Sequence, residues 1–139
     1  MKYCNKALLC LTLCLFVLIG TSCGISNKMV DYYLNRNNYI EVSGTITHIV
    51  FNEEKETLYL GFSELSKKLD DTSFKIVGDS YSIVVTYKET IQIGKVATFV
   101  TAPKYFGDGY VMPIVSLTID DNEILSYETG FSNFIDWLK

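Results

Sequence analysis

Few residues in this chain of 139 have chemistry to offer. Cys23 comes first, a thiol placed directly behind the small residues Gly20, Thr21 and Ser22, with Cys4, Cys10 and Cys14 all upstream of it. A thiol left alone in an oxidising compartment pairs or oxidises unless it is blocked, and acylation would block it. His48 is the sole histidine and has no Cys, Asp or His at metal-ligand spacing. Its position two residues from both Ile46 and Val50 puts it on the inward register of a strand, as a core or rim histidine. Asp120, Asp121, Asn122 and Glu123 gather oxygens without the alternating spacing of an EF-hand loop, which suits a solvated turn. The sequence contains no Gly-x-Ser-x-Gly elbow, Cys/His pair or glycine-rich phosphate loop, so no catalytic residue, metal ligand or cofactor is assigned. The remaining candidates are aromatic. Tyr59, Tyr105, Phe106 and Tyr110 could line a ligand surface, since tyrosine combines a large contact area with a polar tip; with Tyr39 they could equally finish a small core.

The segment ahead of Cys23 has the form of an export leader. Lys2 and Lys6 give a positive start, and Ala7 to Gly20 carries no charge. Spanning a bilayer takes roughly 20 apolar residues, and even counted through Cys23, with Gly20, Thr21 and Ser22 at its end, this run reaches only about that limit, so cleavage is expected over a permanent span. Ser22, Cys23 and the leader together resemble the lipobox of bacterial lipoproteins, although that family usually has Leu where Gly20 stands. The resemblance implies a diacylglycerol thioether at Cys23, a palmitate-type acyl anchor and removal of residues 1–22. Each buried methylene adds about 0.8 kcal/mol, and stable anchoring needs more than one acyl chain, which such a modification supplies. An ordinary cleaved signal with an incidental Cys23, or a short signal anchor, are the alternatives. Gly24 stands where some Gram-negative lipoproteins carry an inner-membrane retention Asp, so a source with two membranes would place the protein at the outer one.

Removing the leader leaves 117 residues, enough for one self-sufficient core. Lys2 and Lys6 are two of the twelve basic residues, so the remainder carries ten against sixteen acidic ones, a formal charge of −6. That sign opposes binding to nucleic acid or to anionic head groups.

Residues 23–38 are polar and asparagine-rich and read as a lipidated tether, with a short helix over Asp31–Arg36. Residues 39–139 read as one β domain. Ile40, Val42, Ile46 and Val50 alternate with polar residues in a long first strand, and Gly44 on its inward side allows the strand to curl. A turn over Asn52–Lys55 leads to Glu56–Ser63. Ser63 then caps a short helix over Glu64–Leu69. Phe74–Val77 and Tyr81–Tyr87 make a third extended region, and Lys95–Ala102 a fourth strand. The connection through Phe106, Gly107, Asp108, Gly109 and Tyr110 suits a hairpin. Pro113 requires the fifth strand, Val111–Ile119, to be an edge or to bulge. Asp120–Glu123 forms a turn, and Phe131, Phe134, Ile135 and Leu138 make the apolar stripe of a C-terminal helix that covers the open end or side of the sheet.

Two local patterns, Val42-Ser43-Gly44-Thr45-Ile46 and Ile93-Gly94-Lys95-Val96, resemble strand starts of the OB-fold, and the resemblance extends over about Tyr39–Ile119. The chain as a whole resembles uncharacterised bacterial lipoproteins with OB-like domains of the tRNA-anticodon-binding type. The implied fold is mainly β: a small five-stranded Greek-key barrel, here with a short helix between strands 2 and 3 and a C-terminal helix. The usual OB helix between strands 3 and 4 finds little room between Tyr87 and Gly94, and a β-sandwich fits the same pattern. Shape does not carry activity. The function expected is a non-enzymatic binding module, held to the membrane by its lipid anchor, for an envelope protein, peptide or glycan. An enzyme built from convergent carboxylates, and an OB-type nucleic-acid binder, are the competing classes.

Overall fold

A computed structural model describes residues 23–107 and 109–139, which fall into two units, the described part of the first being 23–34 and the second running from 35 to 139. The expected leader, residues 1–22, lies outside the described residues. In the first unit, Cys23–Leu34 forms helix α1. Met29 with Tyr33, and Val30 with Leu34, stand four apart, so one helical face recurs through a segment expected to be a tether with a shorter, later helix. Among the described residues no helix is long and apolar enough to cross a membrane.

The second unit opens with a 3-10 turn, Arg36–Asn38, capped by the Asn35 side chain. Six strands follow: β1 (Ile40–Asn52), β2 (Thr57–Ser63), β3 (Ser73–Val77), β4 (Val96–Thr101), β5 (Met112–Ile119) and β6 (Asn122–Leu125). Helix α2 (Ser80–Thr86) stands between β3 and β4, and α3 (Tyr127–Leu138) ends the chain. The sheet order is β3-β2-β1-β4-β5-β6, with antiparallel neighbours, and a parallel pairing of Phe74 with Met112 and of Lys75 with Pro113 joins β3 to β5. Five strands thereby form a ring, and β6 adds to β5 outside it.

The inward residues of that ring are the alternating ones: Val42, Ile46, Leu58, Leu60, Phe62, Phe74, Ile76, Ala97, Phe99, Ile114 and Leu117 form one buried cluster. Phe62, Phe74 and Phe99 meet at its centre, with centroids 4.5 to 5.6 Å apart. Gly44 is buried on this side as expected, and a Cβ there would stand 2.9 Å from Leu65 Cδ2.

Several expectations are corrected. The alternation in β1 breaks at Thr47, where the pairing jumps from Ile46–Phe62 to His48–Gly61. This bulge rotates the rest of the strand, so His48 and Val50 face solvent while Ile49 and Phe51 pack inward. His48 is therefore not inward, and its Nδ1 stands 3.0 Å from Thr47 Oγ1. Glu64–Leu69 is not a helix. Glu64 takes a left-handed φ of 54°, and the next residues bridge to β1 instead, with Ser66 N–H donating to Ser43 O and Ser43 N–H to Ser66 Oγ, both at 2.8 Å.

The helix belongs at Ser80–Thr86, in a stretch expected to be extended. Gly78 (φ 70°) and Asp79 (φ 50°) turn the chain sharply after β3. Ile83, Tyr87 and Ile91 then satisfy a four-residue period as well as a two-residue one, with Ile83 and Ile91 buried and Tyr87 packed against the cluster. Tertiary packing here overrides the β preference of Ile83, Val84 and Val85.

The strand count is six rather than five because Asp120 and Asp121, both at positive φ, form a two-residue turn that pairs Ile119 with Asn122. Pro113 lies in an interior strand, in its parallel pairing with β3; the register of β5 against β4 slips close by, between the Val100–Ser116 and Thr101–Ile114 pairs.

Helix α3 covers the outer side of the ring. Ser126 caps it, accepting from Thr129 N–H. Gly130 permits the approach, since a Cβ at that position would sit 2.2 Å from Val115 O. Phe134 and Ile135 are buried beneath it, and Phe106 packs edge-on against Phe134 at 4.8 Å and Trp137 at 5.3 Å. At the other end, the Arg36 guanidinium lies 4.4 Å from the Phe131 centroid and 5.3 Å from that of Tyr127. It donates to both Glu128 oxygens, at 2.7 and 2.9 Å. This pair holds the Glu128 carboxyl below its ordinary range.

Candidate ligand site on the outer face of β2 and β3

Strand alternation that sends Leu58, Leu60, Phe74 and Ile76 inward sends Thr57, Tyr59 and Lys75 outward. Tyr59 and Lys75 are direct cross-strand partners, and Thr57 is the next outward residue on β2. Helix α3 contributes Trp137 and the β4–β5 connection contributes Phe106, Gly107, Gly109 and Val111. Together with Lys55 from the β1–β2 turn these residues line a cavity of about 550 Å³, within the size range of small-molecule sites.

Lys75 dominates its chemistry. The residue is only 8% exposed, and its Nζ lies 4.7 Å from the Trp137 ring centroid, 5.1 Å from Phe106 and 5.4 Å from Tyr59. Contacts with ring faces contribute about 0.5–2 kcal/mol each, and no protein carboxylate among the described residues pairs with the ammonium. Thr57 adds an unmet polar group, because its Oγ1 is buried and has no hydrogen-bond partner, at a cost of about 1–3 kcal/mol. A cation with no carboxylate partner and an unpartnered hydroxyl thus belong to residues lining one aromatic-walled cavity.

The four candidate aromatic residues divide between two places. Tyr59 and Phe106 belong to the Lys75 cavity. Tyr105 and Tyr110 pair edge to face with centroids 5.5 Å apart. Tyr105 borders a separate hollow of about 150 Å³ with Asp70, Lys104 and Met112. Desolvation, followed by the carboxylates of Asp71 and Asp70, pushes the Tyr105 hydroxyl pKa up. Tyr110 is 78% exposed and Phe106 is buried, so the latter acts as a wall rather than a projecting ring. Asp108 lies outside the described residues, as does the side chain of Cys23.

Sequence reasoning overlooked Lys75, Thr57 and Trp137. A signal for the first two was present, because a lysine between Phe74 and Ile76 must point away from the core, and Thr57 shares its face with Tyr59. Trp137 had no such signal, since its approach depends on where α3 docks. A shallower groove of about 380 Å³ shares Tyr59 and Val111 with the cavity and continues past Gly61 to His48. Asp120 pairs with Lys95 at 2.6 Å, and among the described residues no group of three or more His, Cys, Asp or Glu side chains could hold a metal. Compared with known proteins, the chain matches no family model, no curated sequence and no solved structure.

Proposed function

We propose that this chain is a lipid-anchored lipoprotein of the bacterial cell envelope whose second unit is an OB-type Greek-key barrel acting as a non-enzymatic binding module. The cavity over β2 and β3 carries this reading. OB barrels take ligands on the face of their second and third strands, between the loops after the first and fourth. Lys55 stands in the first of those loops and Phe106 to Val111 in the second, on either side of Tyr59 and Lys75. The pairing of β1 with both β2 and β4, the parallel β3–β5 contact and the position of α2 between β3 and β4 support the same topology. The anchor rests on the Cys23 thiol and the leader ahead of it, and the acidic balance of the chain disfavours nucleic acid as the ligand.

The test is photo-crosslinking in intact cells from the full-length protein. A crosslinking side chain is placed at Gly109, where an added Cβ has Val111 at 3.9 Å as its nearest contact beyond its chain neighbours. It is expected to capture a discrete envelope component that the same group at exposed Val85 on α2 does not. Identical capture from both positions would refute this face as the binding surface.

A further inference from the structure

We propose that the ligand of this cavity is an acidic saccharide, whose carboxylate or phosphate pairs with Lys75 Nζ and accepts from Thr57 Oγ1 while its ring lies against Tyr59 and Trp137. The inference rests on the binding reading above and adds the chemistry of what is bound. Lys75 presents an ammonium with no carboxylate partner among the described residues, and Thr57 a buried hydroxyl with no hydrogen-bond partner. An oxyanion answers both at once, since it offers several lone pairs at a single point, and Lys55 at the rim adds a second positive charge. A charge pair formed among aromatic walls is screened less than one in water, so the site distinguishes an anionic ligand from its neutral counterpart.

The rest of the ligand follows from the walls. Strands β2 and β3 are each paired on both sides, β2 with β1 and β3, and β3 with β2 and β5. This face therefore has no open edge onto which an extended peptide could add as a strand. It offers rings instead, Tyr59 half-buried and Trp137 44% exposed, beside Gly107 and Gly109, which present no side chain. A cavity of about 550 Å³ accommodates one or two sugar rings, and the groove running on toward His48 provides for a longer chain.

Trp137 is the only tryptophan in the protein and reports directly on the site. The full chain, purified in detergent, would be titrated with glucuronate, glucose 6-phosphate, inorganic phosphate and glucose while its fluorescence is followed. Expected are a saturable change with glucuronate or glucose 6-phosphate at least tenfold tighter than with glucose or inorganic phosphate, a tenfold or greater loss in Lys75→Met, and a smaller loss in Thr57→Val. Lys75→Arg keeps the charge and is expected to retain the preference for the anionic sugar. The tighter of the two sugars identifies carboxylate or phosphate as the recognised group. Equal binding of glucose, unchanged affinity in folded Lys75→Met, or no saturable response to either acidic sugar overturns the inference. Inorganic phosphate binding as tightly as the sugar phosphate overturns the saccharide. Crosslinking from position 109 that persists despite such a failure would leave the binding surface intact and remove only the acidic ligand; loss of both removes both.

Discussion

Gly130→Ala should detach the C-terminal helix from the ring, and its cost follows from the geometry. The added Cβ would stand 2.2 Å from Val115 O, 2.7 Å from Val115 C and 2.9 Å from Val115 Cα. All three are backbone atoms, so no rotamer change relieves the clash. Restoring ordinary contact requires α3 to withdraw by roughly 1 Å, a gap that forfeits about a quarter to a half of each dispersion contact it opens. Phe134 and Ile135, buried under the helix, lose most. Overpacking of this kind costs about 1–3 kcal/mol, and a backbone obstacle puts it at the upper end. Alanine returns about 1 kcal/mol through its better helix propensity. The net is a loss of about 2 kcal/mol, or a fall of about 10 °C in Tm for a unit of this size. Thermal unfolding followed by circular dichroism measures it, with Ser132→Ala on the exposed side of the same helix as the control, expected to unfold close to wild type. A Gly130→Ala protein that melts at or above wild type would refute the docking of α3 on β5.

Three further outcomes are expected. The Arg36–Glu128 pair lowers the Glu128 pKa, so its stabilisation is complete above the ordinary glutamate value of about 4.3 and fades as pH falls through the lower folded value; Glu128→Gln should flatten the acid limb of a stability-against-pH curve. Ser126→Ala removes the cap on α3 and should cost about 1 kcal/mol in urea unfolding, with an unchanged m-value. Cys23→Ala should abolish metabolic labelling with a fatty-acid analogue, and retained labelling would refute the lipid anchor.

How far the fold could be read from the chain depended on whether a residue's role was settled locally. The strands with strict alternation, β2 and β4, were legible because polar and apolar residues change places at every step. Thr47 was not, since a bulge adds one residue without altering composition, and it reversed the facing of His48 and Val50. Ile83, Tyr87 and Ile91 satisfy two periods at once, so only their packing against the ring could decide between strand and helix. The segment after Ser63 failed for the opposite reason: its helical spacing was sound, but the left-handed Glu64 and the bonds from Ser66 to Ser43 gave the backbone better partners. In the site, Tyr59 and Phe106 were within reach, whereas Trp137 arrives from the far end of the chain.

The ring is closed between β3 and β5 by two residue pairs, and one of them includes Pro113, which has no N–H to contribute. This is the thinnest seam in the wall, and Lys75 sits on it opposite the proline. Breathing of the protein should therefore start here, prising β3 from β5 and parting Lys75 from the rings that surround it. A molecule held by Lys75 would act as a rivet across that joint, and occupancy would be felt as slower amide exchange in Phe74 to Ile76 before any change elsewhere.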